Sequence, residues 1–115
     1  MNEVYETDTF SKLYEASENR EKEWIEKMKD QLALNLEVGK PLRFDWFREK
    51  KFENKRLYYF INEKKNKAIL VGFGEKKDQQ RTIGHILLNK ERYLQLINEK
   101  NEKIFFSSLK VCYTL

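Results

Sequence analysis

At Gly39-Lys-Pro41 the hydrophobic period of this chain switches from 3.6 to 2, and a chain that changes period once has to combine helices with a sheet. Upstream, Trp24, Ile25, Met28, Leu32 and Leu36 recur at helical spacing between Asn19 and Val38, with acidic and basic residues interleaved around them. This is the pattern of an amphipathic helix with a mixed-charge outer face. Asp8 or Thr9 is placed to cap a shorter helix carrying Phe10, Leu13 and Tyr14, and Ser17 or Asn19 to cap the longer one. Two consecutive helices joined by a tight turn form a helical hairpin. Val4 to Thr7, short and β-prone, predicts a first strand. Gly39 is suited to a left-handed helix cap and Pro41 cannot continue the helix.

Downstream, Phe44 to Phe52, Arg56 to Asn62 and Lys67 to Phe73 read as three strands, with turns at Glu53-Asn54-Lys55 and at Glu63 to Asn66. Links this short make an antiparallel meander. From Lys77 to Ile97 the helical period returns, with Ile83, Leu87, Leu94 and Ile97 on one stripe. The expected fold is α+β: a small antiparallel sheet covered on one face by the helical hairpin, with a C-terminal helix, and with the other face open for function. Residues 1–97 form the domain and 98–115 a tail that carries Ile104, Phe105, Phe106, Leu109, Val111 and Tyr113. The tail either folds back on the chain's own core as a strand or short segment, or adds to a sheet edge of a second copy or lies in the groove that a partner would occupy.

Composition sets limits on function. At 115 residues the chain supports one core, and 37% charged residues imply a solvated exterior. No apolar run reaches the roughly 18 residues of a membrane span, and the first residues lack the pattern of a signal peptide, so a cytoplasmic protein without membrane contact is expected. A single cysteine, Cys112, cannot close an internal disulfide, and one histidine beside it makes a zinc cluster an unsuitable reading. No metal or cofactor is expected. The net charge of +4 is modest, so the placement of the cations matters more than their number.

That placement is uneven. Arg48-Glu-Lys-Lys51, Lys55-Arg56 and Lys76-Lys77 each adjoin an apolar run of strand length. Alternation across a strand groups Trp46, Arg48 and Lys50, opposes them to Phe47, Glu49 and Lys51, and groups Arg56, Tyr58 and Phe60. Strand register then decides whether Arg48 or Lys50 lies near Arg56. Cations with interleaved aromatics suit RNA, because arginine and lysine hold phosphates while Tyr58 can stack on an unpaired base. Arg43, Lys55, Lys76, Lys77 and Arg81 extend the basic surface. Charge runs also serve simply to keep sheet edges from pairing. His85, one turn beyond Arg81, has the chemistry of an acid or base near neutral pH, as does a surface histidine with no role. Tyr58 and Tyr93 can each donate a proton or pack with a polar tip.

The motifs GKPLR, REKKF, KRLYYFI and ILVGFGEKKDQQ, with the element order, resemble the RelE/ParE superfamily of toxins from type II toxin-antitoxin systems, in a form similar to archaeal RelE-like members. The resemblance covers about Val4 to Leu96 and omits the tail. It implies a toxin that inhibits translation as a ribosome-dependent mRNA endoribonuclease, a hydrolase-class enzyme without cofactor. Its implied partners are a cognate antitoxin, the ribosome and mRNA, in a dimer or a heterotetramer with the antitoxin. By resemblance Arg56 stabilises the reacting phosphate, Arg48 and Lys50 or Lys51 act as base or phosphate clamp, and Lys76 or Lys77 replaces the basic residue after the last strand. The family's terminal tyrosine has no clean counterpart: Thr82 falls near it, and His85 or Tyr93 substitutes only through a different geometry. Relatives that poison gyrase share the fold without the nuclease residues, so a ParE-like gyrase inhibitor and a non-catalytic RNA- or protein-binding member stand beside the nuclease reading.

Overall fold

The computed structural model describes residues 1–98 and the backbone of 109–112. In chain order the elements are β1 (Glu3–Thr7), α1 (Asp8–Glu15), α2 (Asn19–Leu34), β2 (Lys40–Pro41), β3 (Phe47–Phe52), β4 (Lys55–Asn62), β5 (Lys67–Glu75), α3 (Gln79–Leu88), α4 (Lys90–Asn98) and β6 (Leu109–Cys112), with a 3₁₀ turn at Lys76–Asp78 ahead of α3. The described strands form one six-stranded sheet in the order β2-β3-β4-β5-β1-β6. The fold is α+β, as the change of period requires. The meander is antiparallel, but the sheet is mixed: β1 runs parallel to β5, with Glu3 opposite Lys67 and Glu6 opposite Leu70. The two helices carry the chain from β1 to the far edge of the sheet, and the meander returns strand by strand until β5 lies beside β1 in the same direction.

Both faces of the sheet are covered, which corrects the expected open face. Leu57, Tyr59 and Ile61 of β4 join Phe10, Ile25, Met28 and Leu32 beneath α1 and α2. Tyr58 and Phe60 join Ile83, Ile86, Tyr93, Leu96 and Ile97 beneath α3 and α4. The reason is the apolar stripe of the C-terminal helical region, which has to be buried and meets the remaining apolar side of the sheet. A bulge helps α3 approach. Tyr58 pairs with Gly72 and Tyr59 with Leu70, leaving Val71 unpaired, and a Cβ at position 72 would come within 2.9 Å of Ile86 Cδ1.

Several helix ends differ from the expected ones. Thr7 caps α1, its Oγ1 accepting from the Phe10 N–H at 3.0 Å, because Asp8 and Thr9 already lie inside the first turn. Glu18 begins α2 and donates its N–H to the Glu21 carboxylate at 3.0 Å; the Ser17 hydroxyl is spent on the Leu13 carbonyl. The helix stops at Leu34 rather than Val38. The helical stretch after Lys77 is two helices, parted at Asn89, whose side chain donates to the His85 carbonyl at 3.0 Å. Gly39 is not left-handed; that conformation falls to Glu53 and Asn66, in the two hairpin loops. What position 39 needs is space. A Cβ there would lie 2.5 Å from the Glu49 carbonyl oxygen and 2.9 Å from the Tyr59 hydroxyl.

The Tyr59 hydroxyl holds this connection in place, accepting from the Gly39 N–H at 2.8 Å and donating to the Leu36 carbonyl at 3.0 Å. From the tail, Leu109 to Cys112 pair antiparallel with β1, so this part returns to the edge of the chain's own sheet. Ile104, Phe105, Phe106 and Tyr113 lie outside the described residues. Among the described residues no helix is long and apolar enough to cross a membrane. Tyr59→Phe strands a buried N–H and a buried carbonyl together, so urea denaturation is expected to show a loss of about 1–3 kcal/mol; an unchanged midpoint would mean that water replaces the hydroxyl.

Candidate nucleic-acid interface

The hairpin between β3 and β4 sets the geometry of the basic residues. Its loop is Glu53-Asn54, with φ of 54° at Glu53, and it places Lys51 opposite Arg56 and Glu49 opposite Tyr58. The Lys76 N–H donates to the Asn54 carbonyl at 2.7 Å, which ties the turn after β5 to the same hairpin. Between them opens a cleft of about 500 Å³ lined by Lys40, Lys50, Lys51, Arg56 and Lys76, with Val38, Glu49 and Gln79 completing its walls. Five cations thus surround one carboxylate.

Arg56 is not the solvent-facing cation its position at the start of a strand suggests. The residue is 5% exposed, and its Nη1 donates to the Glu53 carbonyl at 3.1 Å and the Lys55 carbonyl at 2.8 Å. These bonds hold the guanidinium against the turn and leave Nε and Nη2 without a protein partner among the described residues. Glu49 is equally buried, accepts from Gln79 Nε2 at 2.6 Å, and has Lys40 Nζ at 3.7 Å. A carboxylate is tolerable there because each oxygen has a donor or cation nearby.

Tyr58 lies below this wall with its ring fully buried, so it cannot stack on a base as expected. Among the described residues its hydroxyl has no hydrogen-bond partner. Burial pushes its pKa up to about 12, the Glu49 carboxylate adds to the rise, and Arg56 opposes it. The Gln79 amide is close enough to favour the phenolate slightly but is committed to Glu49.

The other expected site residues divide by location. Arg48 lies across the sheet from Arg56, with Nη1 on the Gly39 carbonyl at 2.9 Å and Nε on the Asp45 carbonyl at 3.1 Å; the β3–β4 register separates the two arginines. It lines a larger hollow of about 580 Å³ in which Glu37, Asp45 and Glu63 cancel its charge. There the Glu37 carboxylate, through a hydrogen bond and its charge, pushes the Glu63 carboxyl above the usual range. Lys55 also turns away from the cleft, pairing with Glu21 at 3.0 Å beneath the Phe73 ring. Lys77 pairs with Glu75, Arg81 with Asp78, and both are exposed outside the cleft. His85 is exposed and does not line the cleft, and Tyr93 is buried against Phe60 at 5.8 Å. Arg43 lines an adjoining groove of about 370 Å³, which shares Lys40, Glu49 and Gln79 with the cleft.

Of the residues that the sequence singled out, the structure brings together Lys50, Lys51, Arg56 and Lys76, with Arg43 beside them, and its register sets Lys51 across from Arg56 in place of the expected Arg48 or Lys50. It missed Lys40, Glu49 and Gln79. Alternation in β3 gave a signal for Glu49, since it shares a face with Lys51; nothing in the sequence marks Gln79 as the residue that would face it. No family model matches the chain, and no curated protein or solved structure does either.

The arrangement suits a phosphodiester: dispersed cations for the backbone, an anchored guanidinium for one phosphate, and a carboxylate able to accept a proton. Two outcomes follow from the burial. Tyr58→Phe removes an unpartnered buried hydroxyl and is expected to raise stability by about 1–3 kcal/mol in urea denaturation; a loss would reveal a partner for the hydroxyl. For Glu21, burial pushes the carboxyl up, but the Glu18 N–H and the Lys55 ammonium outweigh it and leave the native pKa below 4.5. The stability from this group is complete above that value and is lost as pH falls through the lowered native pKa. Glu21→Gln should flatten that part of an acid-denaturation profile, and an unchanged slope would discount the Lys55 pair.

Proposed function

We propose that this chain is a toxin of a type II toxin-antitoxin system that cuts mRNA on the ribosome, with the cleft between β3, β4 and α3 as its RNA site. The observation that carries the reading is the convergence of Arg56 and four lysines on one buried carboxylate. The α+β fold and the RelE-like motifs support it. Its partners would be the ribosome with its mRNA and an acidic antitoxin that covers the cleft.

In the proposed reaction a ribose 2′-OH attacks the adjacent phosphate, forming the 2′-O–P bond and breaking the bond from phosphorus to the 5′ oxygen. The products are a 2′,3′-cyclic phosphate and a 5′-hydroxyl end. Glu49, the only carboxylate among the described residues that line the cleft, takes the 2′-OH proton. Nε and Nη2 of Arg56 meet the charge that grows on the phosphate oxygens, an interaction strongest in the transition state. Lys50, Lys51 and Lys76 hold the neighbouring phosphates, and one of these ammonium groups supplies the proton to the departing oxygen. A second reading, RNA binding without catalysis, is favoured by one observation: among the described residues neither an imidazole nor a phenol lines the cleft.

In a cell-free translation system the protein should halt synthesis and leave mRNA cut within codons at the ribosome. Arg56→Ala is expected to slow cleavage by about 10²–10³-fold. Replacing Lys50 or Lys51 by alanine should reduce the slope of log affinity against log salt by roughly one unit each. Salt-dependent RNA binding without cleavage would select the second reading, and the absence of any RNA binding or translational arrest would overturn both.

A further inference from the structure

Beyond the cleft, close along the chain from Lys40 and Arg43, lies an aromatic side chain that is only partly covered by its neighbours. Phe44 is 39% exposed, although it follows Arg43 in a loop that could have held a polar residue at no cost. One face of its ring is stacked on Trp46, with centroids 4.6 Å apart and planes inclined by 8°. Trp46 is itself fixed from behind by Phe60, edge-on at 5.0 Å, and the Ile61 N–H donates to its carbonyl at 2.9 Å. Phe44 is thus held flat by a wedge driven into the core, and the Phe47 N–H closes the loop onto its carbonyl at 3.1 Å. Lys90 Nζ lies over the ring at 5.7 Å.

We infer that the Phe44–Trp46 stack is a docking platform for one unpaired base of a single-stranded RNA whose phosphates run through the cleft. This rests on the RNA reading above and extends it to a second subsite. Three observations support it. The surface is continuous, because the groove lined by Leu42 and Arg43 shares Lys40, Glu49 and Gln79 with the cleft. The reach is short, since Phe44 is four residue steps from Lys40 and a chain that long spans at most about 14 Å. The charges fit, because Arg43, the residue before Phe44, lines the adjoining groove, and the Lys90 ammonium over the ring can move aside to meet the phosphate of a base that lands on that face. A rigid ring backed by a second ring also loses little conformational entropy when a base lands on it. Any base has a π-face, so the platform selects single-stranded over duplex RNA rather than a sequence.

The test compares short fluorescent oligoribonucleotides by anisotropy: a single strand, the same strand with an abasic position, and its duplex. Phe44→Ala and Phe44→Leu should each weaken single-strand binding by about tenfold or more, leave the salt slope unchanged, and leave duplex binding as it was. The abasic strand should bind the wild type and these variants alike, and Phe44→Tyr should retain wild-type affinity. Phe44→Leu keeps an apolar contact on Trp46, so its loss of affinity cannot be ascribed to unfolding. Equal single-strand affinity in wild type and Phe44→Leu would overturn the inference, as would a loss of the same size with the duplex. Loss of binding to a protein partner by Phe44→Leu with RNA binding intact would overturn it too, marking the stack as a protein contact. If the wild type binds no RNA at all, the RNA reading fails first; if Arg56→Ala weakens binding and Phe44→Leu does not, the platform alone fails.

Discussion

From Arg56 to Ile61 every residue of β4 is buried, with α1 and α2 on one side of the strand and α3 and α4 on the other. Such a strand cannot slip. A shift of one residue would send Leu57, Tyr59 and Ile61 to the face of Arg56, Tyr58 and Phe60, exchanging both cores at once. The same constraint fixes β3 beside it, and so fixes Lys51 rather than Arg48 as the cation across from Arg56. The chemistry of the cleft is in this sense a by-product of how β4 is packed.

The two buried arginines show how the chain handles charge near its core. Arg48 and Arg56 lie on opposite faces, and each binds main-chain carbonyls of an adjacent connection, Gly39 and Asp45 for one, Glu53 and Lys55 for the other. A guanidinium serves well here because its several donors can satisfy more than one main-chain carbonyl at once. Under α2 the same economy appears as an ion pair, with Lys29 Nζ 3.1 Å from Glu6 and the Ser11 hydroxyl on the second Glu6 oxygen. Arg48 ends among carboxylates that cancel it, whereas Arg56 ends among lysines that reinforce it. Their surroundings, more than the residue type, separate a brace from a candidate ligand-binding group.

What the sequence made legible was whatever depends on local period. The meander from β3 to β5, α2 and the α+β class follow from alternation and helical spacing, and Lys50, Lys51, Arg56 and Lys76 were visible as clusters bordering strands. Long-range pairing was not legible. That β1 lies parallel to β5 depends on the path of the α1–α2 crossover, and the covering of the second face depends on where α3 and α4 dock, neither of which has a local signature. Tyr58 and Tyr59 illustrate the limit. The two are adjacent and identical, yet Tyr59 has a hydroxyl that bridges Gly39 and Leu36 while the Tyr58 hydroxyl has no partner among the described residues. Glu49 hid in a run of cations, where a carboxylate reads as solvated charge until its neighbours across the sheet are known.

The position of β1 also bears on the order in which this chain can be made. Its two neighbours in the sheet, β5 and β6, are each separated from it by much of the chain, whereas β3, β4 and β5 pair through short loops. During synthesis β1 emerges ahead of both its partners and has neither to pair with until β5 emerges, and its outer edge is closed only when Leu109 to Cys112 have been added. Loop-closure entropy delays such distant pairing in any case. The meander that carries most of the cleft can therefore form while the sheet is still open at β1, and β1, made before either of its partners, is among the last strands to be sealed in place.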